Sequence, residues 1–197
     1  FAFTDYNVVT NAWHYAAFKQ MEGIAGALGK QDDVAFYASE SDAFKKRFIR
    51  LFFDVRKGYF TDGLAADTDH ASLHGNMFPL AFDLVPAGKK QNVVDFIQTR
   101  GMACSVYGSQ FLMDALYEAN DAEYALHMLT KTDDRSWYNM IRVGSTISLE
   151  AWDNKYKPNQ DWNHAWGAAP ANIIPRRLMG VEPLTPGFGT ARIKPQL

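Results

Sequence analysis

Cysteine is nearly absent from the chain: Cys104 stands alone in 197 residues, so no intrachain disulfide and no multi-cysteine metal site can form. An excess of charge of either sign is lacking too. Lys and Arg number 20 against 22 Asp and Glu, and the formal net charge of −2 offers no basic footprint for a nucleic-acid backbone. No run approaches ~18 uninterrupted apolar residues, so no helix is expected to span a bilayer. The chain opens on Phe1 without a Met, and it has no basic start, apolar run and small-residue cleavage site of a secretory leader. A piece of a longer protein is therefore expected, with its compartment left open. What remains is of globular composition, 47% apolar and 21% charged, which excludes a disordered tail or a collagen-like repeat. The length suits one domain or slightly more.

Aromatic residues, by contrast, are abundant at 14%. Four of the five Trp residues (Trp137, Trp152, Trp162, Trp166) fall within about thirty residues of one another.

The periodicity is helical. Val9, Ala12, Trp13, Ala16, Ala17, Met21, Ile24, Ala25 and Leu28 keep three-and-four spacing, and Gly29 stands where a C-cap belongs. Trp13 is expected in the core. A second helix is predicted over 32–54, close enough to the first to form an antiparallel pair. Residues 58–63 read as an extended turn. Further helices are predicted over 69–85, 89–99, 106–119, 122–129 and 136–141, followed by a long irregular loop over 142–163 and a last helix from His164 to before Gly180. Past Gly180 the chain is punctuated by Pro183, Pro186, Gly187, Gly189 and Pro195, and residues 191–194 alternate like a strand. That strand is expected to find no partner within the chain. Two regions follow: helical hairpins over 1–180, and the start of a β domain, or a tail packed on the helices, over 181–197.

The fold class expected is all-α, a partial α/α toroid of helical hairpins in which inner and outer helices alternate. Periodicity alone does not separate it from an irregular bundle or a solenoid. In a toroid the inner helices open on one face, which would gather Asp5, Tyr6, Asn7 and Asn11 with Asp69, His70 and His74, then Tyr107 and Gln110, then Trp162, Asn163 and His164. Caps explain the Asp and Asn residues. They do not explain the Tyr, His and Trp side chains.

Within the long loop, Glu150 is flanked by Ile147, Leu149 and Trp152. A carboxylate desolvated against an indole has a raised pKa suited to general acid or base work; the plainer reading is a surface glutamate in a salt bridge. Trp152 and Trp162, among Asp153, Asn154, Asn159, Gln160 and Asp161, suit an exposed platform for the C–H face of a sugar, with helical-core packing as the alternative. His70 and His74 have a zinc-compatible spacing, but Ala71 stands where a metalloprotease carries its Glu. Neither a metal nor a cofactor is expected.

The run Trp137-Tyr138-Asn139-Met140-Ile141 through Gly144-Ser145-Thr146-Ile147-Ser148-Leu149-Glu150-Ala151-Trp152-Asp153, then Asn159-Gln160-Asp161-Trp162-Asn163-His164-Ala165-Trp166-Gly167, resembles bacterial α-L-rhamnosidases of the inverting glycoside hydrolase type. Tyr107-Gly108-Ser109-Gln110-Phe111, Pro186-Gly187-Phe188 and Ile193-Lys194-Pro195 add to the likeness, which extends over essentially the whole chain. The resemblance implies an (α/α)6 barrel followed by a small C-terminal β-sandwich, with this chain as the second part of the barrel plus the sandwich's first strand. It implies Glu150 as the general base that activates water and His164 as a rhamnose-binding residue at the −1 sugar site. Trp152, Asp153 and Trp162 would line the same pocket; Tyr107 and Gln110 are assigned there from helix-end geometry.

The partner implied is a rhamnose-containing carbohydrate. The family's general acid lies in an Arg-preceded acidic loop that has no counterpart here, so this chain alone is expected not to hydrolyse glycosides. Uncovered inner-ring surface is expected to drive association between copies. Two other readings stay open, another α/α-toroid glycosidase and a non-catalytic carbohydrate-binding helical domain.

Overall fold

A computed structural model describes residues 2–197. It falls into two compact units divided between Thr99 and Arg100.

In the first unit, α1 (Val8–Ala27) begins where the extended Asn7 accepts the N–H groups of Val9 and Thr10 on its side-chain oxygen. This satisfies two of the donors that a helix N-terminus leaves unpaired. Gly29 in the left-handed region (φ 70°) ends it, and α2 (Gln31–Phe52) returns along it as the second arm of a hairpin. Val8, Ala12, Tyr15 and Ala16 of α1 and Phe48 and Phe52 of α2 are buried. The apolar residues of α1 spread beyond one face, however. Met21, Ile24 and Leu28 are exposed, and Trp13 is 37% exposed rather than a core residue, its ring lying against Phe78 and Phe82.

Residues 58–63 prove more ordered than a simple turn. Strand β1 (Phe53–Asp54) pairs antiparallel with β2 (Tyr59–Phe60), and the Asp54 carboxylate accepts the Arg56 and Lys57 N–H groups in the turn between them. The buried Asn76 side chain both accepts from Phe60 N–H and donates to its carbonyl. It thereby ties this hairpin to α3 (His74–Ala81), and α4 (Lys90–Arg100) completes the unit.

Helix α3 is shorter than the predicted 69–85. Residues 70–72 are held off the helix by Asp62, whose N–H donates to the His70 carbonyl and whose fully buried carboxylate takes the Ser72 N–H and hydroxyl, the His70 ring Nδ1 and the Ala2 N–H. Burial pushes the Asp62 pKa up, but these four donors outweigh it and hold it below the usual Asp value. A carboxylate with a depressed native pKa contributes stability above its unfolded pKa, and that contribution is lost as pH falls through the native value. Asp62→Asn is therefore expected to lower stability by about 1.5–3 kcal/mol at neutral pH. The gap between variant and parent should narrow in acid below the ordinary Asp range. Urea melts at the two pH values check this, and a gap that does not change with pH would rule the charge out as its source.

In the second unit, α5 (Ser109–Glu118) and α6 (Ala122–Thr130) form a hairpin around Asn120, which takes φ 62°. Helix α7 (Trp137–Arg142) is capped by the Ser136 hydroxyl, which accepts the Asn139 N–H. After the long loop, the expected last helix is broken into three pieces: a single 3-10 turn Ala165–Gly167, α8 (Ala169–Ile173) and a wide π-type turn Ile174–Leu178. Pro170 suits the first turn of α8, whereas Pro175 removes an N–H from the following turn, where a regular α-helix cannot continue undisturbed. Asp114 of α5 takes both Arg176 and Arg177 and so fixes that turn to the helix.

Residues 191–194 do find a strand partner. Strand β4 (Ala191–Ile193) pairs antiparallel with β3 (Val181–Pro183) in the register Val181↔Ile193, Glu182↔Arg192 and Pro183↔Ala191. Gly180 sits at φ 67°, and a Cβ there would lie 1.8 Å from the Lys194 carbonyl oxygen, so only glycine fits at the root of this hairpin. The core of the unit is Leu112, Met113, Leu116, Met128, Met140, Leu149, Trp152 and Ile173. Among the described residues no helix is long and apolar enough to cross a membrane.

Candidate functional site

The loop between α7 and the 3-10 turn is ordered by a small number of specific bonds. Asn139 of α7 donates its amide to the Trp152 carbonyl and to the Asp153 carboxylate, each at 2.9 Å. The Ala151 N–H donates to the nearly buried Gln160 side-chain oxygen at 2.8 Å. Two stretches of the loop then run against each other: His164 N–H donates to the Ser148 carbonyl (2.9 Å), the Ser148 hydroxyl donates to the His164 carbonyl (2.7 Å), and Glu150 N–H donates to the Asp161 carbonyl (3.0 Å). Gly167 is needed for this approach, because a Cβ there would meet the Leu149 carbonyl oxygen at 2.4 Å.

Glu150 sits in this frame with both carboxylate oxygens engaged. Lys157 pairs with Oε1, and the Asp161 N–H donates to Oε2 at 3.0 Å. The side chain is only 12% exposed. Its pKa lies below the usual Glu value because of the Lys157 ammonium first and the Asp161 N–H second, which together outweigh partial desolvation. The raised value expected from a neighbouring indole is thus reversed, because a lysine ammonium and a backbone N–H reach the carboxylate.

Beside Glu150 lies an aromatic strip. The Trp166 indole N–H donates to the Glu150 carbonyl at 3.0 Å, and its ring stacks on the His164 imidazole at 4.1 Å and 19°. Tyr107, at the approach to α5, lies 5.4 Å from the other part of the strip, the Trp166 ring. Tyr107 is 50% and Trp166 40% exposed, and the buried Nδ1 of His164 has no hydrogen-bond partner among the described residues. An unpaired buried ring nitrogen is costly unless a bond is supplied from outside. The ionised carboxylate and the exposed rings can together grip an apolar sugar face and polarise a water molecule.

The structure thus links three of the residues predicted from sequence, Glu150, His164 and Tyr107, and it does so through Trp166. That residue belonged to the tryptophan cluster but not to the predicted site; its place two positions after His164 was the available signal. Lys157 carried no signal: it follows Glu150 by seven residues on the same loop, and only the fold of that loop turns its side chain back to the carboxylate. Trp162 is 43% exposed, as a binding surface requires.

Trp152 differs from the exposed platform expected of it. It is 3% exposed, packs edge-on against Trp137 at 5.1 Å, and donates its indole N–H to the Cys104 carbonyl at 2.8 Å. Asp153 holds the loop, accepting from Asn139 and from the Lys155 N–H, which lower its pKa in that order. Gln110 donates to Asp114 and Asn172, a separate polar network that reaches Arg176. Among the described residues no three His, Cys, Asp or Glu side chains cluster as metal ligands, and the Nδ1 of His70 is taken by Asp62.

Comparison with known proteins gives this geometry a context. The α-L-rhamnosidase of Alteromonas sp. (strain LOR) is 27% identical over 213 residues, an alignment that takes in 98% of this chain and 22% of that protein. Three solved structures share the fold. The α-L-rhamnosidase from Dictyoglumus thermophilum matches with a TM-score of 0.80 at 21% identity, over 93% of this chain and 21% of that one. The Streptomyces avermitilis enzyme, solved with L-rhamnose, matches at 0.77 and 20%, over 96% and 19%. The Aspergillus terreus enzyme matches at 0.75 and 20%, over 93% and 22%. The chain spans about a fifth of the length of these relatives. Residues 1–178 match the six-hairpin glycosidase domain of bacterial α-L-rhamnosidases, and the chain belongs to that family.

Proposed function

We propose that this chain supplies part of the catalytic barrel of an inverting α-L-rhamnosidase, with residues 1–180 in the barrel and 181–197 opening a C-terminal β domain. Glu150 acts as the general base. The observation that carries this reading is the ionised Glu150 carboxylate set beside the exposed Trp166–His164–Tyr107 strip. The strip receives the sugar, a terminal α-L-rhamnosyl residue: Trp166 packs on its C–H face, supported by the His164 ring stacked on it, with Trp162 on the same loop.

Inverting hydrolysis uses two carboxyl groups ~6.5–9.5 Å apart, with room for a water on the face of the sugar opposite the leaving oxygen. Glu150 accepts a proton from that water as its oxygen attacks the anomeric carbon. Each carboxylate oxygen has about two lone-pair directions, so the bonds from Lys157 and Asp161 leave one free on each to do so. The bond to the leaving oxygen breaks as a separate acid delivers a proton to it. That acid belongs to the longer enzyme, so the chain by itself is proposed to bind rhamnosides without turning them over.

The test is proton NMR of an aryl α-L-rhamnoside digest by the whole enzyme. β-L-Rhamnose should appear first, followed by slow mutarotation. The α anomer as first product would exclude a water-activating role for Glu150 of the inverting kind.

A further inference from the structure

We propose that Lys157 is a positioning residue for Glu150, placed by the 153–161 loop so that its ammonium and the Asp161 N–H hold the two carboxylate oxygens in one orientation. The inference rests on Glu150 being the base.

An exposed ion pair is ordinarily worth little, because two long side chains must be ordered in a high dielectric. Three observations set this one apart. First, the pair is asymmetric: the Lys157 side chain is 42% exposed whereas that of Glu150 is 12% exposed, so the carboxylate is held within the fold and the lysine reaches in from outside. Second, the lysine's main chain is pinned on both sides, its N–H donating to the Asp153 carbonyl at 3.4 Å and its carbonyl accepting the Gln160 N–H at 3.1 Å. Third, the ends of the same loop are anchored, Asp153 by Asn139, and Gln160 by the Ala151 N–H and by Asn154. One loop therefore delivers a side-chain cation to Oε1 and a backbone donor to Oε2. A carboxylate held at both oxygens cannot rotate, and a base fixed to the geometry of attack is what a water-activating step needs.

Among the described residues, the charged and titratable side chains that act on the Glu150 carboxylate include Lys157 from the loop and His164 beyond it; the Trp166 indole binds the Glu150 main-chain carbonyl. The Lys157 ammonium is the largest influence favouring the ionised base. Removing Lys157 should raise the pH at which the carboxylate gains its proton, so the acid limb of the rate profile should move to higher pH.

The experiment has two readouts. In the 197-residue chain, the side-chain carboxyl 13C shift of Glu150 is followed by NMR against pH for wild type, Lys157→Met and Lys157→Arg. In the whole enzyme, kcat/KM on an aryl α-L-rhamnoside is measured against pH for the same three proteins. The expected result is an upward displacement of both the Glu150 titration and the acid limb in Lys157→Met, with restoration in Lys157→Arg. A Glu150 titration that does not move in Lys157→Met overturns the proposal, as does a uniform loss of kcat with an unmoved acid limb. The two readings fail separately: a Glu150→Gln enzyme that stays active defeats the base assignment, while the NMR titration alone judges whether Lys157 holds this carboxylate.

Discussion

Glu150→Gln in the whole enzyme is expected to lower kcat on an aryl α-L-rhamnoside about 10²–10⁴-fold, the usual range for loss of a positioned general base. Glutamine has nearly the shape of glutamate and keeps an oxygen that can accept the Asp161 N–H, so the loop should not rearrange. Lys157 loses its partner, but at 42% exposure its ammonium is free to turn to solvent, and the melting temperature should change little. The aromatic strip is untouched, since Trp166 binds the Glu150 main-chain carbonyl rather than the carboxylate. KM should therefore stay near the wild-type value while kcat falls, which is how loss of an interaction made only in the transition state reads out. Steady-state kinetics and a thermal melt on the same preparation check both halves. Retained activity with an intact fold would move the base to another residue.

How far the sequence reached can be followed element by element. The ends of α1 were legible because they are local: Asn7 caps its own next two residues, and Gly29 takes a backbone region that other residues avoid. The early break in α3 was not, because it is imposed by Asp62 through bonds to residues 70–72 that no spacing rule encodes. The break in the last helix is different, since Pro175, which has no N–H to donate, marks it locally in the sequence. The β3–β4 pair was missed because its first strand is only three residues long and starts directly after the glycine taken as the end of a helix.

At the site, the motif blocks led to Glu150, His164 and the tryptophans, since these lie close together in sequence. What the motifs could not convey was environment. The carboxylate's neighbour is a lysine returned to it by a loop whose shape depends on Asn139, on another helix. The plainer sequence reading, a salt-bridged glutamate, and the proposed functional reading are therefore compatible in one arrangement: the ion pair favours the ionised carboxylate that the proposed role needs.

Trp152 is where burial decides between packing and binding, and Trp152→Ala is expected to cost about 3–5 kcal/mol of stability, as for other large-to-small changes at buried aromatic sites. The indole is 3% exposed, meets Trp137 edge-on, and provides the hydrogen bond to the Cys104 carbonyl; truncation opens a cavity and strands that carbonyl in one step. For a chain of this length the loss corresponds to a melting temperature lower by roughly 6–20 °C. Trp166→Ala is the contrasting case. Its ring is 40% exposed, so the melting temperature should stay within a few degrees while binding of a rhamnoside weakens, because the stacking surface and the support of the His164 ring go with it. Thermal melts and titration calorimetry with L-rhamnose on both variants separate the roles. A Trp152→Ala protein that melted like wild type and failed to bind the sugar would return Trp152 to the binding surface and place the loop in a different conformation. The opposite pairing, stability lost at Trp152 and affinity lost at Trp166, follows from one physical distinction: a ring already enclosed by protein has no face left to offer a ligand, whereas a ring 40% exposed still has surface to offer.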